Sequence, residues 1–378
     1  MPRFIYVLAA SAVVATGAFS AAQAKQIVPL HSQDVQKTVT AAFRSVEISG
    51  DGSNIALRPG RTTVVQAHEE WNLHQPTLAI GVSRGVLHVT INCSEAQDVG
   101  GVVTVQGALD VANDCTDDLA VTLPASVPVH ATTGFGGITA SGFRRGLQLT
   151  TDSGNVAARN VSGPQVQLSS GNGSVVGSGI NAAAVSLSSD SGDVNATGVR
   201  ASSLGLKSAN GAVSASSVTA TVLTATSDSG DVGVADAAIR AQALLHSDNG
   251  AVSVSRVKAG SLDATSSAGD IKVTDSTFRT AKVSSDNGSV TASHLGAQSA
   301  SLHSDSGDVA ADLTNQPQTL TATSSNGAIN LDVPTGRYDV QADSDNGTVH
   351  VTGLIIDTSV RPFIRAHSDS GNVTVQGD

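Results

Sequence analysis

Aromatic residues are almost missing from this 378-residue chain: they make up 3 %, with a single Trp. That excludes a core built on large rings and leaves Val, Leu, Ile and Ala to fill the interior. It also removes the flat platforms on which sugar-cleaving clefts rely. Cysteine is scarce, with only Cys93 and Cys115 present, so a four-thiolate zinc site is excluded. Positive charge is in deficit, 21 Lys and Arg against 32 Asp and Glu for a net charge of −11. With no basic run, the electrostatic footprint of a nucleic-acid binder is absent. Past Phe19 no apolar stretch approaches the roughly 20 residues of a membrane-spanning helix. The 3.6-residue period of an amphipathic helix is missing as well. There is no Gly-x-Ser-x-Gly elbow, no His-Glu-x-x-His pair and no phosphate loop.

What is present begins with a leader. Met1-Pro2-Arg3 is followed by an apolar run from Phe4 to Phe19 and by Ala22-Gln23-Ala24. A positive start, an apolar middle and a small-x-small ending read as a secretory signal peptide over 1–24. Its removal takes away one charged residue, Arg3, and leaves the rest more acidic. In an exported chain Cys93 and Cys115 are expected to form a disulfide.

From Thr151 onward one phrase recurs twelve times: Ser, two small polar residues, Gly, one small residue, then Val or Ile. Its glycines are Gly154, Gly173, Gly192, Gly211, Gly230, Gly250, Gly269, Gly288, Gly307, Gly327, Gly347 and Gly371. The steps are 19 or 20 residues, with a last step of 24. A fixed period near 20 marks a solenoid. With each Gly as position zero, position +2 is Val156, Val175, Val194, Val213, Val232, Val252, Ile271, Val290, Val309, Ile329, Val349 and Val373. Positions −7, −5 and +4 are largely apolar too, for example Leu147, Leu149 and Ala158. Alternate residues therefore share one face, the period of a strand. Stacked coils would place the +2 residues in a continuous ladder at about 4.8 Å spacing, a rod of about 55 Å over twelve coils. The expected fold is all-β: a single-stranded parallel β-helix of 19–20 residues per coil and about twelve coils.

Position −3 is Thr151 and then always Ser. Its parity points it inward, where a hydroxyl needs a partner, so a hydrogen-bonded ladder along the corner is expected. The Gly follows Ser or Asn at most repeats, a sign of a corner needing positive φ. Coils also alternate in type. Ser-Gly-Asp or Ser-Gly-Asn, as at Ser191–Asp193 and Ser229–Asp231, gives way to Asn-Gly plus a small residue, as at Asn210–Ala212 and Asn249–Ala251. The alternation ends at Asn346-Gly347-Thr348. An acid in every coil would stack like charges about 4.8 Å apart, and the interposed small residue doubles that distance.

The outward acids form a stripe. No metal site is assigned, and the nearest approach to one is a set of calcium candidates, Asp190, Asp193, Asp228, Asp231, Asp305 and Asp308. Calcium requires six to eight oxygens, and the nine-residue calcium repeat is absent. The histidines at −4, His246, His303 and His367, stand three coils apart in sequence, about 14 Å, too far to share a metal or a proton. No catalytic residue and no cofactor are assigned.

Residues 25–130 lack the phrase but alternate, as in Val46-Glu47-Ile48, Val64-Val65-Gln66, Leu87–Ile91 and Val102–Val105. They are read as a β-rich cap over the apolar end of a solenoid at 131–378, with Gly136-Gly137-Ile138 a degenerate first coil. Trp71, beside Glu69, Glu70 and His74, is read as a packed or partly exposed cap residue. At the other end, the insertion around Leu354-Ile355-Ile356 either covers the last coil or leaves it open for end-to-end pairing of copies.

Ser-Asp-Ser-Gly-Asp-Val at 189–194, 227–232 and 304–309, with Val121-Thr122-Leu123-Pro124 leading into the coils, resembles a bacterial putative-adhesin family of unknown function. The resemblance covers about 120–378. It implies a β-helical envelope protein and no particular ligand. The expected role is a non-enzymatic, exported, adhesin-like interaction protein that is periplasmic, outer-envelope-associated or secreted. Its partner would be a protein or glycan surface and not a nucleic acid, and no membrane segment would remain after leader cleavage. The alternatives are a self-assembling envelope scaffold, a homo-oligomer through the C-terminal coil, and a β-helical polysaccharide-active enzyme.

Overall fold

The structure is a computed structural model that describes residues 4–8, 25–71, 75–92 and 115–378. Among these there is no helix, and the chain is a parallel β-solenoid. The leader region lies outside the described residues, apart from Phe4–Leu8, which runs antiparallel to Lys25–Pro29. Cys93 also lies outside them, as do His74, Val102–Val105 and the Cys115 side chain.

Each coil contributes one strand to each of two parallel sheets. A four-residue strand follows the repeat Gly, such as Val194–Thr197. After a corner comes a nine-residue strand, such as Arg200–Ser208. Successive coils stack in register: Val175 faces Val194, which faces Val213, which faces Val232. The 20-residue step into the Gly250 coil is absorbed by a bulge at Arg240 and Ala241.

Every second side chain enters the core. Eleven of the +2 residues, from Val156 to Ile329 and Val373, are at most 1 % exposed. Val349 is the exception and a correction to the ladder, being 43 % exposed at the open end of the rod. In several later coils positions −7 and −5 balance one another in size: Leu223 with Ala225, Ala243 with Leu245, Leu262 with Ala264, Ala300 with Leu302, all buried. Such compensation keeps those layers at close packing without large rings. A further inward column at +7, Val161, Ile180, Val199, Val218, Ala237 and Val257, closes the core behind the second corner.

That second corner, at +6, is where the backbone turns left-handed. Asn160, Ser217, Asp236, Arg256, Asp275 and His294 have φ of 50–54°, and Gly179 and Gly198 have 62° and 64°. The repeat glycines do not share this geometry, which corrects the expectation of positive φ there. Their requirement is close approach between coils. A Cβ on Gly230 would lie 2.3 Å from the Gly211 carbonyl oxygen, and one on Gly211 2.4 Å from that of Gly192. The buried −3 hydroxyls sit in the same crevice. Ser227 Oγ donates to Gly211 O (2.9 Å) and accepts from Gly230 N (2.9 Å). The same pair of bonds recurs at Ser189, Ser208, Ser247 and Ser285. Each of these buried hydroxyls is thus satisfied.

The alternation of coil types is a clasp. In each Ser-Gly-Asp/Asn coil the +1 side chain accepts from the +1 amide of its neighbour. Asp193 Oδ1 takes Ala212 N (2.9 Å), Asp231 Oδ1 takes Ala251 N (2.8 Å) and Asp308 Oδ1 takes Ala328 N (2.8 Å). The neighbour's Asn at −1 reaches back: Asn210 Nδ2 donates to Asp190 O (3.0 Å) and Asn249 Nδ2 to Asp228 O (3.0 Å). Charge spacing is one reason for the alternation, and reciprocal hydrogen bonding between paired coils supplies a second.

The last two coils are stacked out of chain order. Thr319–Ser324 pairs with Phe363–Ser368, and Arg337–Ser344 lies outside that strand. Likewise Ile329–Val333 pairs with Val373–Gly377, and Val349–Thr352 lies beyond it. The C-terminal coil is therefore inserted between two coils that precede it. In space the order is Gly327, Gly371, Gly347, so an Asn-Gly coil is followed by Ser370-Gly371-Asn372 and then by Asn346-Gly347-Thr348. The alternation that breaks in sequence is whole in space, clasp included: Asn372 Oδ1 accepts from Thr348 N (2.9 Å), and Asn346 Nδ2 donates to Asp369 O (3.0 Å).

At the N-terminal end both sheets continue through three more coils. Val129–Thr133 and Ile138–Ser141 form the first, Ser45–Gly50 and Asn54–Pro59 the second, Val86–Asn92 and Cys115–Leu123 the third. Beyond them the sheets end in antiparallel strands, Thr77–Ser83 on one and Thr63–Trp71 with His31–Val39 on the other. Trp71 is half-buried and stacks on His31 with ring centroids 5.7 Å apart.

Candidate functional site

The long-strand sheet presents rows of outward side chains, one per coil. Across the N-terminal coils one row runs His88, Glu47, His130, Gln148 and Gln167, neighbours on successive strands. It crosses two shallow depressions of about 300 and 460 Å³. The larger is floored by Glu47, His88, Thr90, His130 and Thr132, and the smaller adds Arg145, Pro164 and Gln165. His88 Nδ1 lies 3.2 Å from Glu47 Oε2. The result is a strip of donors and acceptors repeating at the strand spacing of about 4.8 Å.

The six calcium candidates are all exposed. Asp193, Asp231 and Asp308 spend a carboxylate oxygen on the clasp. Asp305 bonds His303 Nε2 at 2.9 Å. Among the described residues none of the six belongs to a group of three ligand atoms close enough to share an ion. The structure instead assembles such a group from residues outside that set: Asp343, Asp345 and His367, with ligand atoms within 4.8 Å of one another. His367 Nδ1 meets Asp343 Oδ2 at 2.5 Å, and its Nε2 meets Asp369 Oδ1 at 2.9 Å. The Asp343 hydrogen bond, above all, raises the His367 pKa, and Asp369 adds to it. His367 belongs to the Gly371 coil and both aspartates to the Gly347 coil, which are consecutive in the chain and stacked on one another in space.

On the +6 corner acidic and basic side chains alternate. Arg256 holds Asp236 bidentately at 2.6 and 3.0 Å, and Asp275 lies 3.2 Å from His294. The Arg256 hydrogen bond lowers the Asp236 pKa. At the opposite end, Glu69 and Asp117 face each other across antiparallel strands, and both are buried. Burial first, then the Glu69 and Asp118 carboxylates, push Asp117 up to about 6, and burial raises Glu69 too.

This architecture defines a class of repetitive β-solenoids, and comparison with known proteins gives the family. The model of the Toastrack family, DUF4097, matches residues 43–248 and 240–376. The chain belongs to that family. No curated protein matches it. Among solved structures it is similar to a putative cell adhesion protein from Clostridium sporogenes, at 10 % identity over 92 % of this chain and 100 % of that one, with a TM-score of 0.21. A putative adhesin from Bacteroides fragilis matches at 13 % identity over 92 % and 97 %, with a TM-score of 0.20. A putative lipid-binding protein from Parabacteroides distasonis matches at 10 % over 92 % and 96 %, with a TM-score of 0.24.

Proposed function

We propose that the protein is a non-enzymatic, adhesin-like interaction protein of the bacterial envelope that acts after export. The observation that carries this reading is the row His88, Glu47, His130, Gln148 and Gln167 on consecutive strands. A rigid strip of polar groups at one fixed spacing suits an extended polymer, glycan or polypeptide, held by repeated hydrogen bonds. The leader pattern at 1–24 supports export. Binding of the leaderless protein to arrays of glycans and to isolated envelope polymer tests the reading. The triple variant His130→Ala, Gln148→Ala, Gln167→Ala should fold and lose the captured ligand. Capture that survives this variant unchanged, or no capture at all, would remove the proposal.

A second reading, a scaffold assembling end to end, is favoured by the C-terminal end. Val349, Ile355 and Ile356 are 43 %, 60 % and 58 % exposed. Ile355–Ile356 pairs only with Arg337 and Tyr338, so the insertion does not cover the last coil. Among the described residues the outer edge of Val349–Thr352 has no strand partner, and open edges invite pairing. This reading expects light scattering to show a mass that grows with concentration and that Val349→Lys abolishes. A monomer at every concentration excludes it.

A further inference from the structure

We infer that the exchanged terminal coils build a binding site for a divalent transition-metal ion, zinc by preference, from His367, Asp343 and Asp345. Three observations meet here. The ligand atoms of the three residues lie within 4.8 Å of one another, and none belongs to the row proposed to bind a polymer. The donor set, one imidazole nitrogen and two carboxylate oxygens, suits zinc with water completing the shell. Calcium, by contrast, wants six or more oxygens.

The second observation is internal to the molecule. His246 and His303 occupy the same −4 position in earlier coils, and each keeps an Asp two residues on, Asp248 at 2.8 Å and Asp305 at 2.9 Å. On the neighbouring coil their ring Nδ1 meets a hydroxyl, Thr265 or Thr323, both at 2.8 Å. The −2 places of those neighbouring coils are Ser267 and Ser325. Only the coil stacked on His367 carries acids at both places, Asp343 and Asp345. Hydroxyls suffice to satisfy a histidine on this ridge; the two acids add charge that the hydrogen bonding does not need.

The third observation is electrostatic. Asp343, Asp345 and Asp369 gather around one imidazole. Even a protonated ring leaves a surplus of negative charge, and like charges side by side on adjacent strands oppose pairing. A divalent cation removes that opposition and ties the inserted C-terminal coil to the coil outside it. The ion takes the place of the proton between His367 Nδ1 and Asp343, so uptake releases a proton when the ring is charged.

Isothermal titration of the untagged protein at pH 7.5 with zinc, calcium and magnesium chlorides, after chelator treatment and dialysis, tests this. The protein should take up zinc with a stoichiometry one greater than that of the double variant Asp343→Thr, Asp345→Ser. That variant copies the Thr and Ser of the earlier coils and is expected to fold. It should weaken this uptake by at least the roughly 10- to 100-fold that loss of a mere outer-shell partner costs. Zinc should also slow amide exchange in 337–352 and 363–377 of the parent but not of the variant. Equal zinc uptake by parent and variant, calcium binding as tightly as zinc, or no uptake by the parent would each overturn the inference. Loss of polymer capture by the variant of the outward row leaves this site untouched, so the two proposals fail separately.

Discussion

Ser227 shows how one hydroxyl serves two coils. It accepts the Gly230 amide and donates to the Gly211 carbonyl, both at 2.9 Å, in a site closed to water. Ser227→Ala leaves a buried donor and a buried acceptor without that partner, at about 1–3 kcal/mol. Gly230→Ala should be worse than its small volume suggests, because the new Cβ would meet the Gly211 carbonyl oxygen at 2.3 Å. Coils would have to separate, and overpacking of that kind costs about 1–3 kcal/mol or more. Gly205→Ala is the matched control. Its nearest atom is the Val185 carbonyl oxygen at 4.0 Å, and Ala there should be neutral or stabilising by up to about 1 kcal/mol. Urea unfolding, with amide exchange localised to the Gly211 and Gly230 coils, checks all three. Equal behaviour of Gly230→Ala and Gly205→Ala would refute the close-approach account.

At the scale of elements, the buried carboxyl pair of the N-terminal strands sets a pH dependence. Asp117 is pushed up to about 6 by burial and by Glu69 opposite. Its folded value is above its unfolded one, so between about pH 4 and 6 the folded state holds the extra proton. The contribution of Asp117 to stability is therefore most favourable below that window and is lost as pH rises through 6. Asp117→Asn should flatten this fall and raise stability at pH 7.5 by about 1–3 kcal/mol. Unfolding curves at pH 4.5, 6 and 7.5 check it, and an unaltered slope would contradict the assignment. None of this pair was legible in the sequence, because Glu69 and Asp117 meet only through an antiparallel pairing across 48 residues. The parallel coil was legible, since the 19-residue step and the alternation around each Gly leave few other ways to bury Val156 through Ile329. The +7 column, Val161 to Val257, was equally visible but lies past the corner, where the strand phase resets. The turn glycines were placed correctly for the wrong reason: sequence cannot tell a glycine needed for φ from one needed for proximity. The terminal cluster occupies the −4 and −2 places of consecutive coils and was open to the sequence; comparing the −4 histidines only with one another, three coils apart, passes over it.

At the scale of the whole molecule, the break in the alternation at Asn346 follows from the way the rod is finished. A solenoid needs its last apolar layer managed, and here the chain overshoots, lays down the Gly347 coil and returns to insert the Gly371 coil beneath it. Coil type is expected to enforce that order. The Gly327 coil offers Ala328 at +1, whose methyl group cannot accept the Thr348 amide, whereas the Asn372 side chain accepts it at 2.9 Å. A chain ending at Thr352 should therefore not close up by docking the Gly347 coil directly on the Gly327 coil. Amides of Arg337–Ser344 and Val349–Thr352 should exchange close to unfolded rates, while those of Ile329–Val333 remain partly protected by the coils beneath. Restoring an acceptor in the shortened chain by Ala328→Asp should return protection to 337–352, since an Asp at +1 is what Asp308 and Asp231 supply in the coils below. Full protection in the shortened chain without that substitution would mean the clasp does not dictate coil order. No gain on adding it would mean that the order is set by the apolar layers alone.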